Sequence, residues 1–200
     1  QALVAGTGLE GADFHPVSAI TGDGIDALSD HLQAVAVEFG ERALTGNFRL
    51  AVDRCFTLSG AGLVVTGAVF SGRVAVGEHL ILSPDGIEVR LRAIHAQNRE
   101  SETGRAGQRC ALNLAGGGLR KAQVHRGSWL VAPAIHDPVP RFDARLKVLE
   151  SETRPLRHWT PVHVHLGAAE VPGRVAVLGG KSIPPGGDAL VQVVLDRRIG

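Results

Sequence analysis

Apolar residues recur along residues 48–82 (FRLAVDRCFTLSGAGLVVTGAVFSGRVAVGEHLIL) in short runs broken by glycine. Two runs, 48–57 and 63–70, are rich in Val, Leu, Phe and Thr, and Ser59-Gly60-Ala61-Gly62 between them supplies the positive-φ positions of a hairpin turn. A third run, 73–82, follows Ser71-Gly72 and breaks at Gly77-Glu78, so the chain is expected to fold back again. The pattern continues through 86–95, 107–114 and 128–131, with polar loops at Pro84-Asp85 and over 97–105, and ends near Pro133. Short strands joined by glycine turns predict a small closed barrel.

Upstream, the period changes. Residues 14–17 read as a short extended segment. Ser18-Ala19 and Thr21-Gly22-Asp23-Gly24 then open a helix whose apolar positions Ile25, Leu28, Leu32, Val35 and Phe39 recur at helical spacing. Residues 40–47 form a mostly polar connection. Downstream, Pro133, Pro138 and Pro140 mark a stiff linker. Strand-like runs follow at 142–149, 161–166, 174–178 and 188–195, separated by Pro155, Pro172-Gly173 and Pro184-Pro185-Gly186-Gly187. The reading is a mainly β chain: a strand and helix over 1–40, a β-barrel over 46–134 and a partial β-barrel over 140–200. A barrel cut short at Gly200 would leave an open edge along 190–195.

Composition narrows the chemistry. In 200 residues, 44% are hydrophobic and only 4% aromatic, with 26 glycines and neither Tyr nor Met, so the core must be built from Val, Leu, Ala and Ile. Lys and Arg number 21 against 20 Asp and Glu, a net charge of +1, so any RNA contact must come from local patches. Cys55 and Cys110 show no CxxC spacing, which predicts buried thiols in a reducing cytoplasm, and no apolar run approaches membrane-spanning length. No G-x-x-x-x-G-K-[ST] or N-K-x-D motif occurs, and Gly116-Gly117-Gly118 lacks the Lys-Ser/Thr partner of a phosphate loop. The chain alone is therefore not expected to hydrolyse GTP, and its Gln1 start suggests a piece of a longer protein.

Five stretches carry a family resemblance. Thr66-Gly67-Ala68-Val69-Phe70-Ser71-Gly72-Arg73-Val74-Ala75-Val76-Gly77-Glu78 resembles the T-G-x-V-x-S-G-x-V-x-V-G-[DE] run of domain II of the translational GTPases. Its flanks, Val52-Asp53-Arg54-Cys55-Phe56-Thr57, Arg92-Ala93-Ile94-His95-Ala96-Gln97-Asn98 and Ala106-Gly107-Gln108-Arg109-Cys110-Ala111-Leu112-Asn113-Leu114, are similar to those of the bacterial selenocysteine-specific elongation factors. His163-Val164-His165-Leu166-Gly167 resembles a strand end of their domain III. The resemblance implies the end of a GTPase domain, a complete domain II and part of domain III.

It also implies function. The parent would use GTP and Mg²⁺ to deliver selenocysteinyl-tRNA to the ribosome at recoded UGA codons, reaching the mRNA insertion element through further C-terminal domains. The chain by itself would need no cofactor. Val17-Ser18-Ala19 and Gly24-Ile25-Asp26-Ala27-Leu28 look like the last guanine-binding motif, which makes Ser18 and Ala19 nucleotide-binding positions. Asp53, Arg54 and Arg109 match positions that line a pocket for the selenocysteinyl group. Strand alternation agrees for Arg109, which falls opposite the apolar Cys110, Leu112 and Leu114. The plainer alternative is an Asp53–Arg109 ion pair pinning two strands. Asp53 and Arg54 would face opposite ways unless a bulge intervenes. A general translation-factor GTPase would share the Gly67–Glu78 hairpin without this residue set, and a sulfate-activating GTPase subunit would carry a similar barrel for protein docking. His163 and His165 share a strand face, but no further ligands stand at recognisable spacing, so neither a metal site nor a catalytic residue is expected.

Overall fold

The computed structural model describes residues 2–39, 44–60, 62–117 and 119–200. Part of the expected 40–47 connection, Ala61 in the hairpin turn and Gly118 lie outside the described residues.

The alternating run after Phe48 forms β1 (Arg49–Leu58) and pairs with β2 (Gly62–Ser71) as an antiparallel hairpin. Gly60 and Gly62 take φ of 81° and 89° at the turn. The chain continues through β3 (Arg73–Ala75), β4 (His79–Ser83), β5 (Ile87–Ala96), β6 (Arg99–Ser101), β7 (Thr103–Arg105), β8 (Arg109–Ala115) and β9 (Trp129–Val131). Strands run in the order β4-β9-β1-β2-β8-β5, and β5 pairs back onto β4, closing a six-stranded barrel. Leu50, Leu82, Leu91, Ile94, Leu112 and Leu130 fill it and are fully buried. Gly67 is required where β1 and β2 press together: a Cβ there would fall 2.0 Å from the Ala51 carbonyl oxygen.

The polar stretch 97–105, expected to be a loop, holds β6 and β7 instead. Gln97 and Asn98 both have positive φ, 52° and 63°, the backbone of a two-residue hairpin turn, so Ala96 pairs with Arg99. β7 pairs with β3. Neither short strand carries the apolar alternation that marks a strand in sequence.

The linker is shorter than expected, because Pro140 lies inside β10 (Val139–Lys147), an outer strand with a partner on one side only; β11 (Leu156–Arg157), β12 (Thr160–Leu166), β13 (Ala169–Val177), β14 (Ser182–Ile183) and β15 (Asp188–Ile199) follow. A four-stranded sheet, β10-β15-β13-β12, and the β11-β14 ladder enclose a second core of Val171, Val175, Val177, Ile183, Val191 and Val193. Two more expectations are corrected here. Pro172-Gly173 does not separate strands but lies within β13, where Pro172 pairs with His163 of β12 and the ladder to β15 begins only at Gly173. A proline is tolerated where the strand has a partner on one side. Residues 190–195 are not an open edge either, because β15 lies between β10 and β13, and the outer strands are β10 and β12.

The two cores meet at small residues. A Cβ on Gly127 (φ 92°) would lie 2.6 Å from the Ala169 Cβ, and one on Gly167 would lie 3.1 Å from the Trp129 ring. The N-terminal region is separate in character: α1 (Ile25–Phe39) has no buried residue, and Leu32 and Phe39 are 57% and 81% exposed. Residues 14–17, expected to be a short strand, form none, since none of the described residues pairs with them in a ladder. No helix among the described residues is long and apolar enough to cross a membrane.

Candidate functional site

The site is built on three adjacent strands, β1, β2 and β8, with β2 in the middle. Val52 pairs with Gly67 and Arg54 pairs with Thr66, which leaves Asp53 as the extra residue of a β-bulge. That bulge is the condition under which Asp53 and Arg54 escape strict alternation. Asp53 Oδ1 accepts a hydrogen bond from Thr66 Oγ1 at 2.8 Å and another from Arg109 Nη2 at 2.9 Å. Arg109 Nη1 donates to Asp53 Oδ2, completing a bidentate pair, and Nη2 also lies 3.3 Å from Thr66 Oγ1. One residue from each strand thus closes a small polar network on the outside of the barrel.

The electrostatics follow from these contacts. The Arg109 hydrogen bond holds the Asp53 carboxyl below its usual pKa against an opposing burial effect, and Thr66 and the charges of Arg109 and Arg54 act in the same direction as that hydrogen bond. Asp53 in turn raises the pKa of Arg109. The pair is not sealed off: the Arg109 side chain is 54% exposed and that of Asp53 29%. Arg54 is exposed and close enough to influence Asp53, yet it makes no hydrogen bond or ion pair with a described residue. The structure therefore brings Asp53 and Arg109 together and leaves the Arg54 guanidinium uncommitted.

Thr66 is the member that the sequence did not single out. It stands inside the Thr66–Glu78 motif, and only the register opposite the bulge reveals that its hydroxyl bridges carboxylate and guanidinium.

Two family models match the chain. One described as "Elongation factor Tu domain 2" covers residues 62–131, and one described as "Selenocysteine-specific elongation factor, beta-barrel domain" covers residues 143–200. The selenocysteine-specific elongation factor of Escherichia coli K12 is 44% identical over 190 residues, which is 94% of this chain and 28% of that protein. Its counterpart from Desulfomicrobium baculatum is 37% identical over 197 residues, 98% of this chain and 31% of the relative. Among solved structures, the translation elongation factor SelB of Methanococcus maripaludis in its apo form superposes with a TM-score of 0.75 at 25% identity, over 92% of this chain and 42% of that one. A bacterial selenocysteine-specific elongation factor gives a TM-score of 0.72 at 25% identity, over 91% and 28%.

The chain belongs to the selenocysteine-specific elongation factor family. It spans 28% and 31% of the length of these two curated relatives. Within this family member, the Ser18 loop is a compact turn: Ser18 N donates to the Asp23 carbonyl at 3.0 Å, Gly22 N donates to the Ser18 carbonyl at 2.8 Å, and Ala19 is exposed. The remaining sequence candidates are ordinary. Cys110 is buried, and burial pushes its thiol up to about 11; burial also raises half-buried Cys55. His163 Nδ1 lies 2.7 Å from Glu170 Oε1, so its near partner is a carboxylate on the next strand rather than His165.

Proposed function

We propose that this chain is the aminoacyl-recognising part of a GTP-dependent factor that delivers selenocysteinyl-tRNA to the ribosome at recoded UGA codons, with Asp53, Arg54 and Arg109 forming the pocket for the selenocysteinyl group. The observation that carries the reading is the Asp53 bulge, which sets one committed arginine and one uncommitted arginine beside the same carboxylate.

Selenols are more acidic than thiols, whose reference pKa is about 8.5, so a selenocysteinyl side chain is largely anionic near neutral pH while a seryl side chain is neutral. Arg54 offers this anion a guanidinium with no competing partner. Arg109, tied to Asp53 through Nη1 and Nη2, keeps further N–H donors and a fixed position. Asp53 limits repulsion between the two cations and, with Thr66, orients Arg109. A seryl group would desolvate the arginines without supplying a charge. Hydrogen bonds to charged groups contribute about 1.5–3 kcal/mol each, equivalent to about one to two decades of discrimination per arginine.

Ser18 and Ala19 are assigned to the base side of the guanine nucleotide. The chain has no phosphate loop, so phosphates and Mg²⁺ are assigned to other parts of a longer protein, as is contact with the mRNA insertion element. A cytoplasmic setting follows from partnership with the ribosome. The test is the ratio of affinities for selenocysteinyl-tRNA and seryl-tRNA in the full factor. It is expected to collapse in an Arg54→Ala/Arg109→Ala double variant, and an unchanged ratio would return Asp53 and Arg109 to a purely strand-pinning role.

A further inference from the structure

We propose that Asp13, His15 and His31 form a binding site for a divalent transition-metal cation of the Zn²⁺ type. Asp13 and His15 stand two apart in the irregular segment before the Ser18 turn. His31 comes from the second turn of α1. One ligand atom from each of the three lies within 4.8 Å of the other two, and the imidazole rings of His15 and His31 have centroids 4.4 Å apart at 36°.

The scaffold under these residues is fixed. Gly24 has φ 74°, and a Cβ there would meet the Pro16 carbonyl oxygen at 2.3 Å, so the segment and the start of α1 are packed backbone to backbone. The turn between them is tied by the Ser18–Asp23 and Ser18–Gly22 backbone bonds and by Thr21 Oγ1 donating to Asp23 Oδ2 at 2.7 Å.

The three side chains have no other occupation: none makes a hydrogen bond or ion pair with a described residue, and all are exposed. Bonds of about 2.0–2.1 Å to a tetrahedral ion space its ligand atoms about 3.4 Å apart. Exposed rotamers reach that arrangement by moving about 1 Å or slightly more, with a water in the fourth position. Two imidazole nitrogens and one carboxylate oxygen suit Zn²⁺ and its neighbours, whereas Mg²⁺ and Ca²⁺ prefer oxygen sets. Bound metal clips the segment before Ser18 to α1, none of whose residues is buried.

Isothermal titration of the full chain with ZnCl₂ tests this. One saturable site is expected, and loss of an outer-sphere partner alone typically weakens metal binding about 10–100-fold, so His31→Ala and Asp13→Asn must each weaken it at least that much. His163→Ala, outside the cluster, must bind like the parent. All three cluster residues are exposed, so these substitutions remove no core contact, and far-UV circular dichroism checks that each variant is folded. Absence of a saturable site, binding unchanged in His31→Ala and Asp13→Asn, or binding lost in His163→Ala would each overturn the assignment.

Discussion

Asp53 and Arg109 lie 56 residues apart and meet across β2 as a bidentate pair, with Thr66 of the intervening strand bonded to both. The contact depends on one extra residue in β1. Without the bulge, a carboxylate and a guanidinium on strands that are not neighbours would have no reason to face the same point.

The lowered pKa of Asp53 fixes the sign of a pH effect. Its stabilising contribution is present above the unfolded-state value near 3.8 and is lost as pH falls through the lower folded value. Arg109 is 54% exposed, so the contribution is discounted to about 0.2–1 kcal/mol. Unfolding free energies from urea titration should separate parent and Asp53→Asn by that amount at pH 7 and converge as the pH is taken below the range in which Asp53 titrates. A gap that widens on acidification would contradict the assigned direction.

Gly67→Ala should be among the costliest single-methyl changes in the barrel. The new Cβ would meet backbone, the Ala51 carbonyl oxygen, at 2.0 Å, and overpacking of this kind costs about 1–3 kcal/mol or more. A denaturation midpoint equal to that of the parent would mean that β1 and β2 separate easily at this point.

Gly127→Ala should loosen the two cores from each other without unfolding either. Its methyl would fall 2.6 Å from the Ala169 Cβ, at a contact between the halves. Calorimetry is expected to resolve two transitions, or a wider gap between them, where the parent has a more cooperative profile. An identical thermogram would show that this contact transmits little stability.

The thiols should be unreactive in the native state. With its pKa near 11, only about 0.1% of Cys110 is thiolate at pH 8, and the residue is buried. Iodoacetamide at pH 8 should leave Cys110 unmodified until denaturant is added, and should alkylate half-buried Cys55 more slowly than a free thiol. Rapid native modification of Cys110 would place it outside the barrel core.

Much of this architecture is legible in the sequence because the barrel depends on local signals. Gly60 and Gly62 announce the β1–β2 turn, and the apolar alternation of Leu50-Val52 and Leu112-Leu114 marks core faces. β6 and β7 escape a sequence reading because they are three residues long and carry no large apolar side chain, so their strand character comes from pairing partners and from two positive-φ residues that are not glycine. Pro172 misled because a proline's effect depends on which side of a strand is paired. The strand expected over 14–17 needs a neighbouring backbone, a non-local requirement that no local pattern reports. At the site, the conflict between Asp53 and Arg54 pointed to a bulge, but Thr66 became visible only through register.

The most direct measurement of the account is the selenocysteinyl-tRNA to seryl-tRNA affinity ratio of the full factor carrying Arg54→Ala alone, followed across pH values that titrate the selenol. Arg54 is the guanidinium left uncommitted beside Asp53, so its loss should lower the ratio about 10–100-fold above the selenol pKa and flatten its pH dependence, while Arg109→Ala should have the smaller effect. A ratio that stays at the parent value in Arg54→Ala, or that does not fall in the parent when the selenol is protonated, would contradict recognition by charge.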